Sequence, residues 1–162
     1  MGRGIVFFLV GLAAVGAAIF GAFYMNRGSQ MHLTGSILKV RSMADGDGAL
    51  VFADFRVTNT AAIPFVVNTL QMTMETPEGE MATAVVLSKS DVETISKARR
   101  LLGPKYNDVL SIQDKLPPVQ IVDRMAAGRF KFPPKFLNTR KTLRLRIEEL
   151  DGAVSEITEK KE

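Results

Sequence analysis

The chain has 162 residues, with 21 Lys and Arg against 17 Asp and Glu, a formal net charge of +4, one histidine and no cysteine. The missing cysteine excludes zinc–thiolate sites, iron–sulfur clusters, disulfide scaffolds and cysteine nucleophiles. The lone histidine, His32, would have to build a triad or a histidine metal cluster by itself, and the charge is too mild to argue for nucleic acid.

Gly4 to Met25 is a run of 22 residues without a charge or strong polar group. That length is enough to cross a bilayer core of roughly 30 Å as a helix. Residues 1–28 are therefore expected to be a short basic tail and a transmembrane signal-anchor, with Tyr24 at the interface. The rival is a cleaved signal peptide, for which Arg3 gives the basic start and Val15-Gly16-Ala17 a weak cleavage site. The apolar run continues past that site through Ile19, Phe20, Phe23 and Tyr24, which favours an anchor. Charges flanking the span nearly balance, Arg3 before it and Arg27 after it, so the preference for a non-cytoplasmic main domain rests on the short tail. Ala13, Ala17 and Gly21 recur every four residues and form a ridge on which a second helix can pack, giving a homodimer through the membrane.

From residue 29 to 154 the period changes to two, the spacing of strands. A first strand around Ile37 to Arg41 leads through Asp45-Gly46-Asp47-Gly48, a hairpin signal, into a second. There Val51, Ala53, Phe55 and Val57 should face a core while Asp54, Arg56 and Thr58 face solvent. Leu70, Met72 and Met74 repeat the alternation, and Pro77-Glu78-Gly79 turns the chain into a fourth strand over Met81 to Leu87. Strands around Ile121 to Phe132 and through Leu143, Leu145 and Ile147 follow. Short strands with regular turns predict a mainly β fold, an immunoglobulin-like antiparallel β-sandwich.

One stretch near 90–110 breaks the period. Ser90-Asp91-Val92-Glu93 reads as a capping box, Val92, Ile95, Ala98 and Leu102 recur at helical spacing, and Gly103-Pro104 is a stop signal. The spacing predicts a short inserted helix, and the residues from 155 to 162 a charged, frayed tail.

Asp54-Phe55-Arg56-Val57-Thr58-Asn59, followed by Ile63-Pro64-Phe65 and a strand carrying Leu70, resembles the water-stress and hypersensitive-response domain of the atypical late-embryogenesis-abundant proteins. The run from Pro117-Pro118 to Phe130-Lys131-Phe132-Pro133 is similar to that family's penultimate strand. The resemblance implies a fibronectin-like sandwich and a non-enzymatic role near membranes or in stress protection. It brings no binding residues with it.

No constellation of nucleophile, base and orienting group stands out, so the chain is expected to be no enzyme and to carry no cofactor or metal site. Asp45 and Asp47 lack the further carboxylates of a calcium loop, and Glu148, Glu149 and Asp151 read as a solvated strand end. Arg99, Arg100, Arg144 and Arg146 are the candidate surface for an acidic partner or anionic lipid. The leading expectation is a single-pass anchored sandwich that binds or scaffolds a protein of the cell envelope. The alternative is a membrane-proximal stress-protection or lipid-interacting protein.

Overall fold

The computed structural model describes residues 8, 11–21, 32–99 and 102–159. The chain divides into two compact units, Met1–Gln30 and Met31–Glu162. In the first, residues 11–21 form a helix, α1, with Ala13 and Ala17 exposed. Among the described residues no helix is long and apolar enough to cross a membrane. The expected span also includes residues 4–7, 9–10 and 22–25, which lie outside the described residues.

The second unit is mainly β: two sheets face to face around the main core, with a short helix. The elements are β1 (Leu33–Asp45), β2 (Gly48–Asn59), β3 (Phe65–Glu75), β4 (Met81–Thr83), β5 (Val85–Val86), α2 (Lys89–Ala98), β6 (Asp108–Val109), β7 (Lys115–Leu116), β8 (Gln120–Phe130), β9 (Thr142–Glu149) and β10 (Val154–Thr158). One sheet runs β1-β2-β8-β5, with β6 also on β8; the other runs β10-β9-β3-β4, with β7 also on β3. Pairing is antiparallel except for the short parallel contact of β6 with β8.

The β1–β2 hairpin closes where the turn chemistry predicts. Asp45 pairs with Gly48, and of the two residues between them Gly46 has φ +63°, a backbone state glycine adopts without steric cost. Val51, Ala53, Phe55 and Val57 then face the core as expected, and Phe55 is wholly buried. Full burial of such a ring contributes roughly 1.5–3 kcal/mol. Leu70, Met72 and Met74 meet Leu143, Leu145 and Ile147 from the facing positions of β9. A register shift between Val67 and Thr69 lets Phe65 and Val67 face the same core as the later even-numbered residues.

Four expectations need correction. The strand over Met81 to Leu87 is two strands in different sheets, because the chain crosses at Ala84, whose N–H donates to Met72 O. The crossing needs Gly128: a Cβ there would lie 2.6 Å from that of Ala84. The cap of α2 is Ser88, not Ser90; Ser88 accepts from Asp91 N, and Asp91 reaches back to the Ser88 N–H. The helix also ends at Ala98, before Leu102. The supposed tail begins as β10, held by burial of Ser155 and Ile157 and by a two-point pairing of Arg140 with Glu159.

The fourth correction concerns the second face of β2. Leu50, Phe52 and Asp54 are buried, because α2 and the following segment cover the outer side of the first sheet. Val92, Leu102 and Val109 pack there with Leu50, Phe52, Met125 and Ala127 as a second small core.

Candidate functional site

The basic residues singled out from the sequence do not converge. Arg99 caps the end of α2 and lies 3.6 Å from Asp45, whose other oxygen takes Arg129 at 3.1 Å. Arg144 and Arg146 alternate with Leu143, Leu145 and Ile147 on β9, and therefore stand on the outer face of the other sheet. Two sheets about 10 Å apart separate them from Arg99, too far for one patch. Arg146 is engaged by Glu148 at 3.2 Å, and Arg100 lies outside the described residues.

The acidic candidates are similarly committed. Asp45 is neutralised by two arginines, and among the described residues no three His, Asp or Glu side chains gather to hold a metal. Glu149 is not at a solvated strand end but buried, accepting from the Asp151 N–H in the β9–β10 turn. His32 is exposed just before β1, and its carbonyl accepts from the Thr60 hydroxyl. In the first unit, nothing among the described residues lies within 4 Å of where a Cβ on Gly21 would be, and Ala13 and Ala17 are exposed.

Among the described residues, the most elaborate polar arrangement centres on Arg41 of β1. Its guanidinium donates to Asp54 Oδ2 at 2.8 Å and to the carbonyls of Leu102 at 2.5 Å and Pro104 at 2.8 Å. The Asp54 Oδ1 accepts from Asn107 at 3.0 Å. The Tyr106 ring lies over Arg41, 4.8 Å from its centroid, and the Phe52 ring lies 5.7 Å away. Two strand residues thereby clasp the segment from Leu102 to Asn107 onto the sheet. This is a clamp of charge-assisted bonds and ring faces. At its far end Lys105 sits 3.1 Å from Asp108 and holds that carboxyl below the usual carboxylate range.

Anchoring this segment leaves the sheet edge interrupted. β5 and β6 both pair with β8 but are only two residues each, and an apolar notch of about 350 Å³ opens between residues 86–89 and the segment 110–112 that follows β6. Leu70, Val86, Leu87, Leu110 and Ile112 line it, with Ser88, Lys89 and Ser111 at its polar positions. Its size is at the low end of ligand pockets. The Ser88 hydroxyl is tied to Asp91 at 2.7 Å and to Ser90 at 2.9 Å as the helix cap, which leaves it a structural task. A second cleft of about 330 Å³ lies along α2, between Ile95, Arg99, Asp45 and Arg129.

Arg41 and the notch were not singled out from the sequence. The available signal was Leu50-Val51-Phe52-Ala53, four apolar residues running over both faces of one strand, which marks a strand covered on both sides.

No protein-family model matches the chain, and no curated protein is similar enough to serve as a relative. Among solved structures, an uncharacterised β-sandwich protein from Clostridium difficile 630 is similar at 9% identity, covering 79% of this chain and 85% of that one with a TM-score of 0.41.

Proposed function

We propose that this protein is a single-pass membrane-anchored, immunoglobulin-like β-sandwich that binds or scaffolds another component of the cell envelope without catalysing a reaction. The observation that carries the binding reading is the notch at the interrupted edge, where Ile112 is exposed and Leu70 and Leu110 form an apolar floor. An apolar side chain on an extended partner segment fits such an edge, as in strand-addition recognition. The uncharged run from Gly4 to Met25 supports the anchor, with the sandwich on the non-cytoplasmic side and Ala13, Ala17 and Gly21 as a face for a second copy.

The anchor is tested by alkaline carbonate washing of membranes, which should leave the full chain in the pellet; release into the wash rejects it. Protease added to sealed cells should digest the sandwich, and protection reverses the orientation. A photo-crosslinking residue at Ile112 should capture one stoichiometric protein that the same residue at Asp47 does not.

A membrane-proximal stress-protection role of the late-embryogenesis-abundant kind is the second reading. Supporting it, Asn59 of the resembling motif is buried and staples its loop: its amide donates to Ile63 O at 2.9 Å and Leu116 O at 3.2 Å and accepts from Ala61 N at 3.0 Å. Recovery of lipid without a protein partner would favour it.

A further inference from the structure

The outer side of the first sheet is covered by α2 and by the segment Leu102–Asn107, and this cover is thinly attached. Of the ten residues of α2 only Val92 is fully buried; Ile95 and Ser96, one turn on, are half-buried and the rest are exposed. A helix of that length is marginal by itself in water, so it depends on this narrow face. In the second piece only Leu102 is fully buried. The main core, by contrast, is closed by whole faces of the long strands, with Phe55, Phe65 and Phe130 wholly buried between them.

Closure also leaves polar atoms without partners. Arg41 Nε beneath the cover and Ser96 Oγ within it are buried and accept or donate no hydrogen bond among the described residues. Each carries a desolvation penalty that water would relieve. Beside them, the attraction within the Arg41–Asp54 pair is largely offset by the cost of taking both charges out of water. The clamp therefore fixes where the cover sits, while Val92 and Leu102 against Leu50, Phe52, Met125 and Ala127 supply most of its hold.

Both ends of the cover are pinned to one strand. Leu87 N donates to Ala127 O at 2.9 Å before α2, and Leu110 N donates to Met125 O at 2.8 Å after β6. With these points fixed, α2 and Leu102–Asn107 can leave the sheet while β8 stays paired with β2 along its whole length.

We infer that α2 and Leu102–Asn107 form a hinged cover that opens as one unit from the folded sandwich, with Arg41 as its latch. Few buried apolar contacts are the mark of a region that opens below the free energy of global unfolding. Opening hydrates Arg41, Asp54 and Ser96 and bares Leu50, Phe52 and Met125. It also moves one wall of the notch, since Ser88 and Lys89 line the notch and begin α2.

The chain has no cysteine, so one introduced thiol reports on one site. In the full chain in detergent, Val92→Cys and Leu102→Cys report on the cover and Leu145→Cys on the main core, all three positions being buried. With a thiol reagent, 92 and 102 should label at one common rate with a shallow urea dependence, and 145 more slowly with the steep dependence of global unfolding. Tyr106→Ala removes the exposed ring over Arg41 and should speed labelling at 92 and 102 by the same factor, roughly two- to fivefold, while leaving 145 unchanged. Amide hydrogen exchange of the unaltered chain makes the same comparison without a core substitution, and α2 should exchange before β3 and β9. One rate and one urea slope at all three sites, or α2 amides protected as long as those of β3 and β9, overturns the cover. Fast labelling at only one of 92 and 102 overturns opening as a unit. Equal rates with and without the Tyr106 ring remove Arg41 as the latch. No partner or bilayer enters these rates, so failure here leaves the binding reading standing.

Discussion

The Arg41 guanidinium and the Asp54 carboxylate meet at 2.8 Å with only 10% and 5% of their side chains exposed, directly beneath the segment that leads from α2 to β6. Removing one member strands a buried charge, which costs about 3–5 kcal/mol, whereas replacing both by apolar residues of similar size is often neutral. Arg41→Ala and Asp54→Ala should each lower the melting temperature of the full chain strongly, while Arg41→Met with Asp54→Leu should recover much of the loss. A mild single variant in circular dichroism melts would show the clamp to be dispensable.

Phe55→Asp should unfold the sandwich, since the wholly buried ring would be replaced by a carboxylate with no partner in the main core. Its cost of several kcal/mol stands against a total stability of roughly 5–15 kcal/mol. Loss of the cooperative melt is the expected result, and a native-like melt would count against this register.

Ser88→Ala should cost about 1 kcal/mol through loss of the α2 cap, whereas Ser90→Ala, inside the first turn, should cost much less. Urea unfolding of the two variants separates them, and equal effects would contradict the cap assignment.

Val119 follows Pro118 with φ +49°, a left-handed conformation unusual for a β-branched residue, so Val119→Gly should stabilise the protein by about 0.5–1 kcal/mol, because relief of that strain exceeds the extra chain entropy of glycine. A destabilised Val119→Gly protein would mean that the side chain is packed and not merely displayed.

Acid sensitivity should depend in part on Arg56 and Asp123, joined by bonds of 2.7 and 2.8 Å. The hydrogen bonds from Arg56 hold the Asp123 carboxyl below its usual range. A depressed carboxylate adds stability that is fully present above the unfolded value near pH 4 and is lost as the pH falls through its lower folded value. The pair is largely solvated, so the effect is small. Melts of Asp123→Asn and the parent chain should differ at neutral pH and converge in strong acid, and a gap that persists there would contradict an ionic origin.

Period and turn chemistry by themselves specify β2, β3 and β9, because one residue type repeated at spacing two must face one way, and Asp-Gly or Pro-Glu-Gly must turn. They determined which face of Phe55 and Leu145 is inward. They did not determine what lies over the other face. Asp54 reads as a solvent-facing acid in any local window, and only the return of the chain through α2 and the segment after it buries that residue against Arg41. Nor does local sequence reveal that Met81 to Leu87 changes sheets, since each half alternates normally and the switch depends on the space over Gly128. The tail was misread for the same reason: Ser155, Ile157 and Glu159 are unremarkable until Leu33 and Arg140, distant in sequence, arrive beside them. Long-range partners decided these positions because burial and charge pairing depend on neighbours in space, whereas pattern reports only neighbours in sequence.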